Sequence, residues 1–392
     1  MRLTILTSEF PPYVYGGVGV HLRYLTEQLR STDFQAASPC GAIELDVRYL
    51  GQEEREEQGF RLRPFAPWEV VEKADDPRLG KVLGPLSADI AMVARKIEAD
   101  VVHAHTWYTF FAGHLARLLY DIPLVVTVHS LEPKRPWKTE QLGRGYELST
   151  WLERAGIEAA DRVIAVSGEM RKDILSLYAL DPERVVVVHN GIDLEKYRRA
   201  TTVDVRERYG IRGRFILFVG RISRQKGIDV LLKAAAMLEG ELSIVLAATS
   251  PDTPELAREV EEQVRTNPRL VWINRMLPED ELVALYSEAQ VFVCPSIYEP
   301  FGIINLEAMA CRTPVVASAV GGIPEVVADG VTGTLVPPGD PEALATAINR
   351  LMGEPRTRDR YAIAGRQRVE EHFSWRRIAL RTCEVYEAVM RR

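Results

Sequence analysis

The chain has 392 residues, 46% of them hydrophobic and 27% charged, which excludes a disordered or collagen-like polymer. With 49 Lys+Arg against 55 Asp+Glu the net charge is −6, which argues against nucleic acid or an anionic membrane as the broad partner and leaves room for a local basic cleft. The length predicts two or three domains. No apolar run is long enough for a membrane span, and residues 1–10 read as a short strand rather than a signal peptide. Cys40, Cys294, Cys311 and Cys383 are scattered without a CxxC pair, as expected of thiols in a reducing cytoplasm.

In chain order, nearly continuous apolar runs at 2–7, 101–103, 124–129, 162–166 and 185–189 predict buried parallel strands. Helical periodicity lies between them at 20–29, 83–97, 108–119, 148–159 and 170–177. Residues 193–214 are charged, lack apolar periodicity and read as an inter-domain linker. A second series follows, with strands at 215–219, 243–248, 270–274, 291–295 and 314–318. Its helices are predicted at 230–238, 254–264, 279–288, 305–310 and 341–351. A last amphipathic helix is expected over 374–391. Alternation of this kind implies two doubly wound α/β domains, with ligands at the carboxyl ends of the strands.

Four groups of residues fall at such ends. Gly16, Gly17 and Gly19 follow the first strand and precede a helix; they suit close approach to an anion, or simply a tight turn. His129 ends a strand and reads either as a ligand contact or as a hydrogen-bonded structural imidazole. His103 and His105 form His-x-His, but no third acidic or Cys ligand stands at a convincing spacing, so no metal is expected. Gly220, Arg221, Lys226 and Gly227 follow the first strand of the second series. The two cations can converge on a diphosphate, or form a solvated pair. Glu299, Gly302 and Glu307 are the most informative. One carboxylate sits at a strand end and one on the next helix, with a helix start between them that can hold phosphate. That set suits sugar hydroxyls, diphosphate and ribose; two ordinary surface carboxylates are the alternative.

At these residues the sequence resembles glycosyltransferase family 4, retaining enzymes of the GT-B fold. Glu299 and Glu307 stand at the family's Glu-x7-Glu spacing. Arg221 and Lys226 match its Arg/Lys pair, and the run from His189 to Asp193 matches its inter-domain motif. Segments at 103–108, 128–138 and 140–146 look like the short actinobacterial-type glycogen synthases, some of which make maltose 1-phosphate. Val14, Tyr15, Gly16 and Gly17 lack the lysine that the long bacterial glycogen synthases carry there.

The resemblance implies two Rossmann-like domains facing a cleft, 1–195 joined by the helix 374–392, and 196–373. It implies ADP-glucose as donor and α-1,4 transfer, with glucose 1-phosphate or an α-glucan as acceptor. Arg221 and Lys226 then neutralise the diphosphate, Glu299 binds the glucose hydroxyls and Glu307 the ribose. His129 contacts the glucose 6-hydroxyl. Gly16, Gly17, Asn190 and the backbone of Gly302, Ile303 and Ile304 complete the donor site. No cofactor or metal is expected. Lys134, Arg135, Lys138 and Arg144 form a basic cluster suited to an acceptor phosphate, or a solvated basic loop. Alternatives are a family 4 transferase using UDP-glucose or GDP-mannose, and a non-catalytic carbohydrate-binding protein.

Overall fold

A computed structural model describes residues 1–14, 16–200, 203–249 and 251–391; Tyr15 of the glycine-rich motif lies outside them. The chain divides into two compact units, Met1–Asn190 with Trp375–Arg392, and Gly191–Ser374. Among the described residues no helix is long and apolar enough to cross a membrane.

The first unit is built on eight strands: β1 (Arg2–Thr7), β2 (Glu44–Leu50), β3 (Arg55–Glu57), β4 (Phe60–Phe65), β5 (Val101–His105), β6 (Leu124–Val128), β7 (Arg162–Ala165) and β8 (Val185–Val187). They lie in the order β3-β4-β2-β1-β5-β6-β7-β8. All neighbours are parallel except β3, which runs antiparallel to β4. β1 is central, with Leu3 beside Leu45 on one side and Val101 on the other. Its last five residues are buried, which is why it reads as an unbroken apolar run.

The helices Gly17–Arg30 and Trp375–Met390 pack on this sheet. Leu22, Leu25 and Leu29 share one apolar cluster with Ile378, Tyr386, Val389 and the strand residues Ile5 and Val47. The final helix is thus part of the first unit. His103 fastens it to the sheet: Nδ1 lies 2.7 Å from the Tyr386 hydroxyl and Nε2 lies 2.7 Å from Thr127 Oγ1.

β2, β3 and β4 are absent from the sequence expectation. Arg48 shows why, because it stands in the middle of β2 and is only 1% exposed. Its guanidinium donates to the carbonyls of Met92, Arg95 (2.6 Å) and Lys96 (2.9 Å). These lie at the end of the helix Pro77–Ala94, where carbonyls lack intrahelical partners. Asp46 accepts from its Nε at 3.0 Å. A charged residue thus serves as a buried cap, and local hydropathy misreads the strand.

The second unit holds β9 (Arg214–Arg221), β10 (Leu242–Thr249), β11 (Leu270–Ile273), β12 (Val291–Cys294), β13 (Val315–Ser318) and β14 (Gly333–Val336). The order is β11-β10-β9-β12-β13-β14, all parallel. The short β14 and the helix Pro355–His372 were not expected; only Tyr361, Gly365 and Val369 of that helix are buried, so its apolar stripe is thin.

Residues 193–214 are not a free linker. Ala200 N–H donates to Ser287 Oγ at 3.0 Å, Asp204 caps the short helix Val205–Tyr209, and Arg208 and Tyr209 both reach the buried Glu281. Several of the charges that hide the apolar pattern are paired within the unit: Lys196 with Glu279, Arg206 with Glu288 and Arg208 with Glu281.

Replacing Arg48 by Met strips three carbonyls and Asp46 of a buried donor. The expected loss is about 3 kcal/mol of stability, read from the urea-unfolding midpoint.

Candidate active site

In the second unit β9 stands between β10 and β12, so the chain's crossovers leave on opposite sides of the sheet there. The loops after β9 and β12 flank that switch point, where open α/β sheets bind ligands. They are locked together through backbone. Ile297 N–H donates to the Gln225 carbonyl at 2.9 Å, and Gln225 Nε2 donates to the Tyr298 carbonyl at 3.3 Å. Gly227 has φ +70°, and a Cβ there would stand 1.9 Å from the Pro295 carbonyl oxygen. Only glycine permits this approach.

The lock places Lys226 Nζ 2.6 Å from Glu299 Oε2. Ser296 Oγ donates to the same oxygen at 3.2 Å. The Glu299 backbone is fixed from below: its carbonyl accepts from Gly322 N–H at 3.1 Å, and a Cβ on Gly321 would come within 1.9 Å of it. Glu299 is 6% exposed, so it is no ordinary surface carboxylate. Arg221 ends β9 and pairs with Asp252 Oδ1 at 3.1 Å. Arg221 and Lys226 thus each hold a carboxylate of their own.

Gly302, at φ +94°, caps the helix Ile303–Ala310 without a side-chain cap. Its first-turn amides point along the helix axis, where an anion is favoured. Glu307 lies in this helix, buried, with Oε2 accepting from the Tyr286 hydroxyl at 2.8 Å. Burial pushes its carboxyl above the ordinary range, against hydrogen bonds from Tyr286 and Tyr197 that pull it back.

In the first unit the switch point falls between β1 and β5. Gly16 N–H donates to Glu9 Oε2 at 2.8 Å, so a carboxylate already sits on the amide expected to meet phosphate. Gly17 opens the helix Gly17–Arg30. His105 ends β5, and His129 follows β6. His105 Nδ1 lies 3.1 Å from His129 Nε2. His21, on the first helix, stands with its ring centroid 5.0 Å from that of His129. Its Nδ1 is 2.7 Å from Asn190 Oδ1, which gives Asn190 a positioning role within this unit. The sequence singled out His103, His105 and His129 but missed His21, which the helix brings in from a motif read only for its glycines.

Burial depresses all four imidazoles: His21 to about 4, His103 to about 3, and His105 and His129 well below the usual value. They are neutral at pH 7, and His129 can accept or donate one hydrogen bond without carrying charge.

The basic cluster after β6 is largely neutralised. Lys134 pairs with Asp173 at 2.7 Å, Arg135 with Glu132 at 3.2 Å, and the exposed Arg144 with Glu147 at 3.4 Å. Arg135 also donates to Ser130 Oγ at 2.8 Å. Lys138 begins the helix Lys138–Leu142. Beneath the loop, Glu153 accepts from the Glu132 N–H at 3.0 Å and from the Tyr178 hydroxyl at 2.5 Å; burial raises its pKa to about 8.

The family description "Glycosyl transferases group 1" matches residues 205–368, and "Glycosyltransferase Family 4" matches residues 15–196. Alpha-maltose-1-phosphate synthase of Mycolicibacterium smegmatis is 47% identical over 99% of this chain and 100% of its own. This chain is a family 4 glycosyltransferase. The glycogen synthase of Mycobacterium tuberculosis is 30% identical, covering 100% of this chain and 95% of its own. Among solved structures, sucrose-phosphate synthase from Thermosynechococcus elongatus superposes with a TM-score of 0.80 at 27% identity, covering 100% of this chain and 99% of that one. The two Rossmann-like units place the glycosyltransferase in the GT-B class.

Below pH 6.5, the ordinary imidazole value, the unfolded glycosyltransferase binds protons that its buried histidines refuse. Their contribution to stability therefore falls as pH drops from 6.5 towards about 4 for His21 and about 3 for His103, while the raised pKa of Glu153 acts in the opposite sense. Each contributes a slope of about 1.4 kcal/mol per pH unit within its window. Imidazole C–H resonances followed by NMR from pH 7 to pH 5 check this; titration of His21 or His103 near 6.5 contradicts the buried neutral cluster.

Proposed function

We propose that this glycosyltransferase moves glucose from ADP-glucose to glucose 1-phosphate, forming an α-1,4 bond with retention and releasing ADP. The observation that carries the reading is the Lys226 ammonium held 2.6 Å from Glu299 beside the uncapped helix start at Gly302. It occurs in a chain 47% identical, over its full length, to a relative named alpha-maltose-1-phosphate synthase. An enzyme that expels a nucleoside diphosphate needs fixed positive charge where negative charge grows. Lys226, Arg221 and the amides of Gly302, Ile303 and Ile304 supply it, so the scheme requires no metal.

In this reading Glu299 accepts hydrogen bonds from hydroxyls of the transferred glucose, and Glu307 takes ribose hydroxyls in place of a tyrosine hydroxyl. Asp252 releases Arg221 to the diphosphate. His129, neutral, contacts the glucose 6-hydroxyl, while Gly16, once Glu9 releases its amide, and Gly17 approach phosphate by backbone. The acceptor's 4-hydroxyl attacks the face from which the diphosphate leaves. As the C1–O bond to phosphate breaks and the new C1–O bond forms, the acceptor proton passes to the departing phosphate oxygen. Lys134 and Lys138 carry the acceptor phosphate; Arg135, held by Glu132 and Ser130, shapes their loop.

Incubation with ADP-glucose and glucose 1-phosphate is expected to yield a disaccharide phosphate by mass spectrometry, α-linked and α-configured by NMR. Product from UDP-glucose or GDP-mannose alone overturns the donor assignment. In a parallel incubation with glycogen added, elongated glycogen without disaccharide phosphate overturns the acceptor assignment.

Lys226→Ala is expected to lower kcat/KM by about 10²–10³. Lys134→Ala with Lys138→Ala should raise KM for glucose 1-phosphate and leave KM for the donor unchanged; equal KM values in variant and parent remove this loop from the phosphate site.

A further inference from the structure

We propose that His21, His105 and His129 of the first unit form a binding site for one divalent transition cation of the zinc type, with an exchangeable fourth position. The three imidazoles come from separate elements: the helix Gly17–Arg30, the end of β5 and the residue after β6. Among the described residues this is the group of three metal-capable side chains whose donor atoms all lie within 4.8 Å of one another. Local sequence spacing does not reveal it, because His21 is remote from the other two in the chain.

The spacing is that of a ligand triad. Ring centroids stand 5.6 Å apart for His21 and His105, 5.0 Å for His21 and His129, and 5.4 Å for His105 and His129. Three imidazoles bound at about 2.0–2.1 Å to one tetrahedral ion place their centroids about 5 Å apart and their nitrogens about 3.3 Å apart. One such nitrogen pair, His105 Nδ1 and His129 Nε2, is already 3.1 Å apart. In the cation-free protein that contact holds a single proton between two rings. A cation in its place gives each ring its own bond.

Two further features favour ligation. His21 has Nδ1 engaged by Asn190 Oδ1 at 2.7 Å, so Nε2 is left as the donor. An outer partner on the far nitrogen is how proteins orient metal-binding imidazoles. His105 Nε2 is buried and has no hydrogen-bond partner, which gives that ring a second available donor. His103 stays outside the site, because Tyr386 and Thr127 occupy both its nitrogens. An all-imidazole donor set selects Zn²⁺, Co²⁺, Ni²⁺ or Cu²⁺ over Mg²⁺ and Ca²⁺, which take oxygen.

If His129 contacts the transferred sugar, as proposed above, the same cation withdraws it from that contact, and occupancy inhibits transfer. The site itself does not depend on that reading.

The test is titration of the metal-free, full-length protein with Co²⁺, followed by the visible ligand-field absorption of low-symmetry Co²⁺. One equivalent is expected to bind, to be displaced by Zn²⁺ and to be unaffected by excess Mg²⁺. His21→Ala should abolish the band, and Asn190→Ala should weaken binding roughly 10–100-fold, with circular dichroism showing both variants folded. Wild-type protein that gives neither the band nor calorimetric Zn²⁺ binding overturns the site without reliance on any variant. In the activity arm, Zn²⁺ is expected to slow transfer and EDTA to restore it. Stoichiometric binding with an unchanged rate upholds the site and instead removes His129 from the sugar contact.

Discussion

The functional half of the second unit depends on a backbone lock between two loops. Gln225 and Gly227 on one loop lie against Pro295, Ile297 and Tyr298 on the other, so closely that no side chain fits at position 227. Because both loops grow from adjacent central strands of one sheet, their spacing is inherited from the sheet register. The lock converts that register into a 2.6 Å contact between an ammonium and a carboxylate. A charge pair held by backbone needs little reorganisation when a substrate arrives, which is the condition under which fixed charge is worth most to a reaction.

The first unit solves a different problem, that of keeping polar side chains in a dry interior. The imidazoles of His21, His103 and His105 are buried and that of His129 is half-buried, and desolvation keeps these four neutral. Their hydrogen bonds then do the positioning. His103 spans Thr127 and Tyr386, tying strand to terminal helix, and Asn190 orients His21 just where the chain leaves the unit. The identity of the last helix as part of this unit follows from the same contacts, reinforced by Ile378, Tyr386 and Val389 in the shared core.

Uniform burial is what makes β1 legible in the sequence. β1 was read over the residues it occupies, since five of its six are buried. The helix Glu279–Glu288 was likewise read in full. β2 was not, because its central Arg48 is a buried charge whose partners are carbonyls some 45 residues away, information that no window of hydropathy contains. The helix Pro355–His372 escaped for the opposite reason: three buried positions in eighteen residues leave almost no stripe to detect. Residues 193–214 read as a linker because their charges hide the apolar pattern, although Lys196, Arg206 and Arg208 are paired within the fold.

The sequence by itself determined which chemistry the site can hold. Glu299, Glu307, Lys226, Arg221 and the glycine beside each loop are local signals, since a strand end, a helix start and the residue types between them are all neighbours in the chain. Tertiary structure alone decided which of these groups meet. Lys226 and Glu299 are 73 residues apart and His21 and Asn190 are 169 apart, and nothing in local spacing pairs them. It also decided that Arg221 holds Asp252, that Lys134 and Arg135 are already paired, and that three histidines share one small volume. The reason is physical: propensity and periodicity act over a few residues, whereas pairing, burial and the loss of charge that burial enforces are set by segments brought together only when the sheets close.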